Sequence, residues 1–378
     1  MVIKTENFKN VCSTILSATD NSELSTLTET LELEVQNKTL FLNVTNGEYY
    51  ASVSFPLGFD ETFHAAVNAN LFLKLIAAVT TEYIDLSIGS NVVIVKANGT
   101  YKIPMISEMI GSDGEVLNLP KIEINNPTVD MEIGGAILES ILNYNSKELL
   151  RGAVSRPVQK MFYMDEQGCI TFTTGACINS FALPQPVKVL FNGRLVKLFK
   201  LFKNNMVDFT LGYDQLSEDL IQTKVRFKTD NITLTAITGC NDELLNSVPV
   251  KAIRGRATAD YLYNVVLNKK ELADAINRLL LFSVGYGTSK NVKPYSLFEC
   301  AAGEMTIQDS TKSNKETVKF KNDTSVTDPY SMTLDLADLK LILDNISEEY
   351  ITMSFGNHQA VVVKRPNISN VIPEVKSN

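Results

Sequence analysis

Two histidines, His64 and His358, are the whole supply of imidazole in a chain of 378 residues. That is too few for a histidine-based metal cluster, and each reads as a surface or structural residue rather than a catalyst. Cysteine is as sparse. Cys12, Cys169, Cys177, Cys240 and Cys300 are scattered and no two form a Cys-x-x-Cys pair, which argues against a disulfide framework or a zinc site and leaves them as small buried hydrophobes. No apolar run approaches the roughly 20 residues that a membrane span needs, and the opening MVIKTENFKN has no hydrophobic signal region, so a cytoplasmic protein is expected. Walker loops, Gly-x-Gly-x-x-Gly, Gly-x-Ser-x-Gly and His-Glu-x-x-His are all missing, and acidic pairs such as Asp335 and Asp338 fall at a helix start, where capping explains them. No enzyme, metal or cofactor is expected. Cations are short as well: 35 Lys and Arg against 43 Asp and Glu leave a net charge of −8. That balance argues against a nucleic-acid partner unless the cations are gathered in one place.

What the chain does have is an ordinary globular composition, 44% hydrophobic and 21% charged, and an internal repeat. LFLKLIAAVTTEYIDLSIGSNVVIVKANG (Leu71 to Gly99) recurs as LADLKLILDNISEEYITMSFGNHQAVVVKRPN (Leu336 to Asn367). Leu-Lys-Leu-Ile, Glu-Tyr-Ile and Ser-x-Gly appear in both, followed by a Val-rich strand ending in Lys. A fainter copy, GRLVKLFKLFKNNMVDFTLGYD (Gly193 to Asp214), also runs from helix to strands. Three more helices are expected at Phe8 to Thr19, Gly135 to Leu150 and Asn268 to Leu280. Phe8, Val11, Cys12, Ile15 and Leu16, like Leu272, Ala275, Ile276, Leu279 and Leu280, follow the spacing of one apolar helical face. Asn68, Asn192, Asn268 with Glu271, and Asp335 stand where N-caps belong. Period-two runs such as LTETLELEVQNKTLFLNV and CITFTT read as strands. Six helices, each followed by strands, predict an α+β chain of three similar domains over 1–125, 126–252 and 253–378. The links between them are KIEINNPTVD (Lys121 to Asp130) and VPVKAIRGRATAD (Val248 to Asp260).

Cations do gather on one helix. At about 100° per residue, Leu195, Leu198, Phe199 and Phe202 share one arc, while Arg194, Lys197, Lys200 and Lys203 spread over the opposite half with no acid among them. Other helices add Lys9, Lys74, Lys147, Arg151, Lys269, Lys270, Arg278 and Lys340, diluted by Glu139, Glu148, Glu271, Asp274, Asp338 and Asp344. A lone basic face is usually a solvated surface. Set in a repeated architecture, it reads instead as a functional face, of a kind that can meet nucleic-acid phosphates weakly without reading sequence. A β-rich structural or assembly protein, such as a virion component, would share the acidity and the strands but has no use for that face.

In layout the chain resembles the beta sliding clamp of bacterial DNA polymerase III, or a phage-borne relative. Ser155-Arg156-Pro157-Val158 is similar to the family's Thr-Arg-Pro-(Val/Ile/Leu) at the opening of domain two. The resemblance implies DNA-clamp domains, a homodimer closed head to tail into a six-domain ring with helices inside and sheets outside, and a polymerase and clamp loader held through short linear peptides. It implies a peptide pocket at Val158, at Thr173, Gly175 and Ile178 (after Thr-Asp-Gly-His-Arg-Leu), at the linker Pro249, and at Val362, Val363 and Pro366 (after a Val-Val-Met-Pro ending). Thr174, Ala176 and Cys177 depart from the family's Asp, His and Arg, and the chain continues past Pro366 as NISNVIPEVKSN. The resemblance further implies a dimer contact of Tyr101 and Ile103 with Leu281 and Phe282.

Overall fold

A computed structural model of the chain describes residues 1–19, 25–150, 156–203, 205–217, 220–239, 241–282, 294–309, 312–321, 326 and 328–375. Along them one unit recurs six times: a strand, a helix, then a meander of three antiparallel strands. The leading strand never joins its own meander. It pairs with the first strand of the neighbouring unit's meander, so each half-sheet has four strands. Val2–Lys4 joins Tyr83–Gly89, Val92–Lys96 and Thr100–Pro104, while His64–Asn68 joins Thr30–Gln36, Thr39–Thr45 and Tyr49–Pro56. The same exchange links Asn126–Gly134 to Met206–Ser217, Lys188–Asn192 to Met161–Asp165, Tyr263–Asn268 to Tyr350–Phe355, and Tyr330–Asp335 to Tyr295–Ala301.

The chain parts into two compact units, Met1–Glu139 with Arg194–Asn241, and Ser140–Gly193 with Asp242–Asn378. In the first, Tyr49–Pro56 pairs with Ile232–Ile237, joining two half-sheets into eight strands; the half-sheet ending in Thr100–Pro104 stays at four. Period two governs burial here, with Leu31, Leu33, Leu40, Leu42 and Val44 all inside. The helices Thr5–Leu16 and Ala69–Ala78 pack together through Phe8 and Phe72, whose rings meet edge to face at 6.3 Å. Leu16 ends the first helix exposed, although its spacing assigned it to the apolar face. On the far face of the sheet, Glu32 is fully buried. Its carboxylate lies 3.0 Å from His64 Nε2 and accepts from Asn43 Nδ2 and the Leu119 amide. Those bonds fasten the segment after Pro104, which covers Tyr50 and Ala66 with Met109 and Leu119.

In the second unit, Ala176–Ser180 pairs with the last strand, Ile368–Pro373, to make the other eight-stranded sheet; the half-sheet ending in Lys315–Lys319 stays at four. Helices Lys269–Leu280 and Leu336–Leu343 pack side by side, and Leu272, Ala275, Ile276, Leu279 and Leu280 are all buried. The caps expected at Asn68, Asn268 and Asp335 form, each side chain accepting from an amide of the first turn. The expected polar link at 248–260 differs from a plain link. It carries a helix, Val250–Ala257, whose buried side chains are Ile253 and Ala257. Two apolar positions four apart, with Pro249 before them and Gly255 between, are too faint a period to announce a helix from sequence.

Candidate functional site

The cationic helix starts as α over Gly193–Val196 and tightens to 3-10 over Lys197–Leu201. Leu195, Leu198, Phe199 and Phe202 are buried. Phe199, Phe202 and Phe209 surround Phe227, with ring centres 5.0, 6.1 and 5.2 Å away. That packing fixes the rotation of the helix and turns Arg194, Lys197, Lys200 and Lys203 outward, all exposed. Arg194 lies 3.7 Å from Glu48, an exposed pair of little energetic weight. Lys203 closes the helix in the left-handed region at φ 49, where a glycine is more usual.

The other expected cations fall into three groups. Lys74 and Lys270 are exposed; Lys9, Lys147 and Lys269 are half-buried. Arg278 and Lys340 already have partners. Arg278 clasps Glu316 at 2.7 and 2.8 Å, and Lys340 donates to Asn277 at 2.7 Å and lies 3.2 Å from Asp344. Arg151, like Ser155 and Cys240, lies outside the described residues. Two acids expected to dilute the basic faces do not reach the surface, for Glu148 and Asp338 are buried.

Six of the eight residues expected to form a peptide pocket are buried in the fold. Val158, Ile178, Val362 and Val363 are buried side chains of the second unit, Thr173 donates inward to Glu148, Gly175 is buried in a turn, and Pro366 is exposed in another. Ile178 faces Ser369 across the sheet, which corrects the register carried over for the C-terminal strand. The strand beside Ala176–Ser180 is Ile368–Pro373, not Ala360–Lys364. Val371, Ile372 and Pro373 therefore hold the place expected of Val362, Val363 and Pro366. Their own apolar-apolar-proline pattern was the signal, hidden because the preceding hairpin strand offers a similar one, Val362-Val363 with Pro366 three residues on.

A groove of roughly 680 Å³ does open in this unit, lined by Tyr163 and Lys188 and by the 245–252 stretch through Leu245, Asn246 and Val248 to Ala252. Of the expected pocket residues it contains Pro249. Beside it lies an ion pair that sequence patterns do not announce: Arg254, on the helix that supplies Val250, Lys251 and Ala252, donates to both carboxylate oxygens of Asp165, at 2.8 and 2.6 Å. Burial works to raise the Asp165 pKa, but Arg254 and the Gln167 amide outweigh it and hold the carboxyl below its usual range. Burial beside that carboxylate pushes the Tyr163 phenol up to about 12. The pair pins the helix Val250–Ala257 against the sheet, and with it one wall of the groove.

The residues expected at a dimer contact divide likewise. Tyr101 is 38% exposed on the edge strand Thr100–Pro104, and Leu281 and Phe282, just past the helix Lys269–Leu280, are 81% and 54% exposed. Ile103 is 3% exposed and belongs to the core of its own unit.

No family model and no curated protein matches the chain. Solved structures match it over its whole length. The DNA polymerase III subunit beta from Pseudomonas aeruginosa aligns with a TM-score of 0.78 at 13% identity, covering 100% of each chain. The subunit beta from Borrelia burgdorferi, in complex with a natural product, aligns at 0.79 with 13% identity, covering 100% of this chain and 99% of that one. A putative DNA polymerase III beta subunit from Eubacterium rectale gives 0.76 and 14%, with the same coverage. The chain has the fold of these beta sliding clamps, on a sequence that has diverged far from theirs.

Proposed function

We propose that this protein is a sliding clamp. Two copies close head to tail into a ring of six domains, with 1–125, 126–252 and 253–378 as the three of each copy. The ring encircles duplex DNA and tethers a replicative polymerase. Strand order carries this reading. Four half-sheets are already joined in pairs, each through the last strand of its meander. In the two that remain, the equivalent strands, Thr100–Pro104 and Lys315–Lys319, lie at open edges. An open edge is a template for another strand. If the edge of one copy takes the opposite edge of the next, two identical seams close a ring, and every sheet reaches eight strands.

The exposed cations on the 193–201 helix support a lining that meets phosphates. Such contacts are sequence-independent and weaken with salt, which suits a tether that must slide. The groove beside Pro249 is the site we assign to the short linear peptides of polymerase and clamp loader, with apolar anchors seated against Leu245, Val248 and Val250. The setting is the cytoplasm of a bacterial cell or a phage-infected host; among the described residues no helix is long and apolar enough to cross a membrane. Retention on DNA tests the reading. Protein loaded on nicked circular DNA should stay bound, and linearising that DNA should release it from the ends. Equal dissociation from circle and line counts against encirclement.

A further inference from the structure

The two strands at open edges both carry lysine on their exposed side. Thr100–Pro104 reads Thr-Tyr-Lys-Ile-Pro, and Lys315–Lys319 reads Lys-Glu-Thr-Val-Lys. Alternation sorts these residues by face. Ile103 and Val318 are buried, while Thr100, Lys102 and Pro104 on one strand, and Lys315, Thr317 and Lys319 on the other, are exposed on the opposite face. Across the neighbouring strand Lys102 faces Ile94 and Lys315 faces Gln308, neither of them an acid, whereas Lys319 faces Glu304.

Two constraints limit how such edges can meet. Both joints made within the chain, Tyr49–Pro56 with Ile232–Ile237 and Ala176–Ser180 with Ile368–Pro373, are antiparallel. An antiparallel seam that keeps Ile103 and Val318 on the buried face can shift only in steps of two residues, because a slip of one turns every side chain over. With the strands matched end to end, Thr100 lies opposite Lys319, Lys102 opposite Thr317 and Pro104 opposite Lys315. Each lysine then meets a neutral residue, and lysines approach one another only on the diagonal.

Other pairings bring lysines face to face. A shift of two residues sets Lys102 against Lys315 in one direction and against Lys319 in the other. Two copies of Thr100–Pro104 matched end to end set Lys102 against Lys102, and two copies of Lys315–Lys319 set Lys315 against Lys319 twice. Like charges directly opposite oppose pairing, and edge lysines are a common guard against unwanted strands.

We propose that Lys102, Lys315 and Lys319 are the specificity-determining residues of the ring seam. They admit one partner, the opposite edge of a second copy, in one register. Their role rests on the proposed ring and fixes the pairing within it, Tyr101 with Val318 and Lys102 with Thr317.

A double-mutant cycle in the full-length protein reads that register through the dimer Kd. Sedimentation equilibrium at low salt is the measurement, since exposed charges are then least screened. Thr317→Lys places a cation opposite Lys102 at both seams and should raise Kd by about fivefold or more. Adding Lys102→Glu should return Kd to the wild-type value or below it, and this coupling should fade at about 1 M salt. Lys102→Glu should also couple more strongly to Thr317→Lys than to Lys315→Thr or Lys319→Thr. Both Lys102 and Thr317 are exposed, so their variants should melt as wild type does. A silent Thr317→Lys, a loss that Lys102→Glu does not recover, or stronger coupling to either lysine overturns the pairing while the dimer, and with it the ring, stands. A wild-type protein that stays monomeric, or a dimer indifferent to Leu281→Asp with Phe282→Asp, removes the ring reading and this seam with it.

Discussion

Lys197 and Lys200 stand outward because Leu198 and Phe199 between them stand inward. Charge reversal at the two lysines therefore touches no packing. Lys197→Glu with Lys200→Glu should leave the Tm within about 2 °C, as surface changes do. It should weaken retention on DNA, with the salt slope falling by about one for each phosphate that is no longer neutralised. An unchanged slope on circular DNA removes this helix from the lining. Asp165 makes the opposite case, since its partner is internal. Its pKa is depressed in the folded protein, so its contribution to stability is present above the unfolded value near 3.9 and is lost as pH falls through the lower, folded one. Urea melts of wild type and Asp165→Asn should differ at pH 7 and converge as the pH drops below about 4. A constant gap across that range would show that the charge of Asp165 is not what pins the linker helix.

At the scale of the element, the final hairpin is the segment whose role changed most between sequence and structure. Read linearly, the residues after Pro366 are a tail beyond the last strand. In the fold they are the strand that ties Ala176–Ser180 to Ala360–Lys364. Removing Ser369 to Asn378 should expose two strand edges and much of the apolar face around Ile372, so the expected outcome is aggregation or loss of the cooperative transition, not a change in peptide affinity. Val362→Asp should likewise cost at least about 3 kcal/mol by urea titration, because a carboxylate at that fully buried position has no partner. A soluble, two-state Val362→Asp protein with near wild-type stability would contradict the burial assigned to that strand.

For the whole molecule, the proposed ring rests on two edges and the apolar residues beside them. Leu281 and Phe282 are too exposed to support their own chain, and the helix they follow packs against Lys315–Lys319, the open-edge strand. Leu281→Asp with Phe282→Asp should leave the far-UV spectrum and the monomer's melting intact and convert a dimer to monomers in sedimentation velocity. Persistence of the dimer would move the seam elsewhere. Ile103, by contrast, is a poor choice for such a test, since it would be felt first in its own core.

Much of this was legible from residues alone, because it depends on short-range periodicity. Leu272, Ala275, Ile276, Leu279 and Leu280 announce their helix by spacing, Asn68, Asn268 and Asp335 announce helix starts by their capping chemistry, and the rotation of the 193–201 helix follows from where its four large apolar side chains fall. The likeness of the stretch from Leu71 to that from Leu336 announces copies of one unit. None of this says which strand lies beside which. The exchange of leading strands between neighbouring units, the choice of Ile368–Pro373 over Ala360–Lys364 as the partner of Ala176–Ser180, and the Asp165–Arg254 clasp all join residues far apart in the chain. Local preference is equal for the competing pairings, since two adjacent strands carry nearly the same apolar pattern. Only the packing of a complete sheet against its helices separates them.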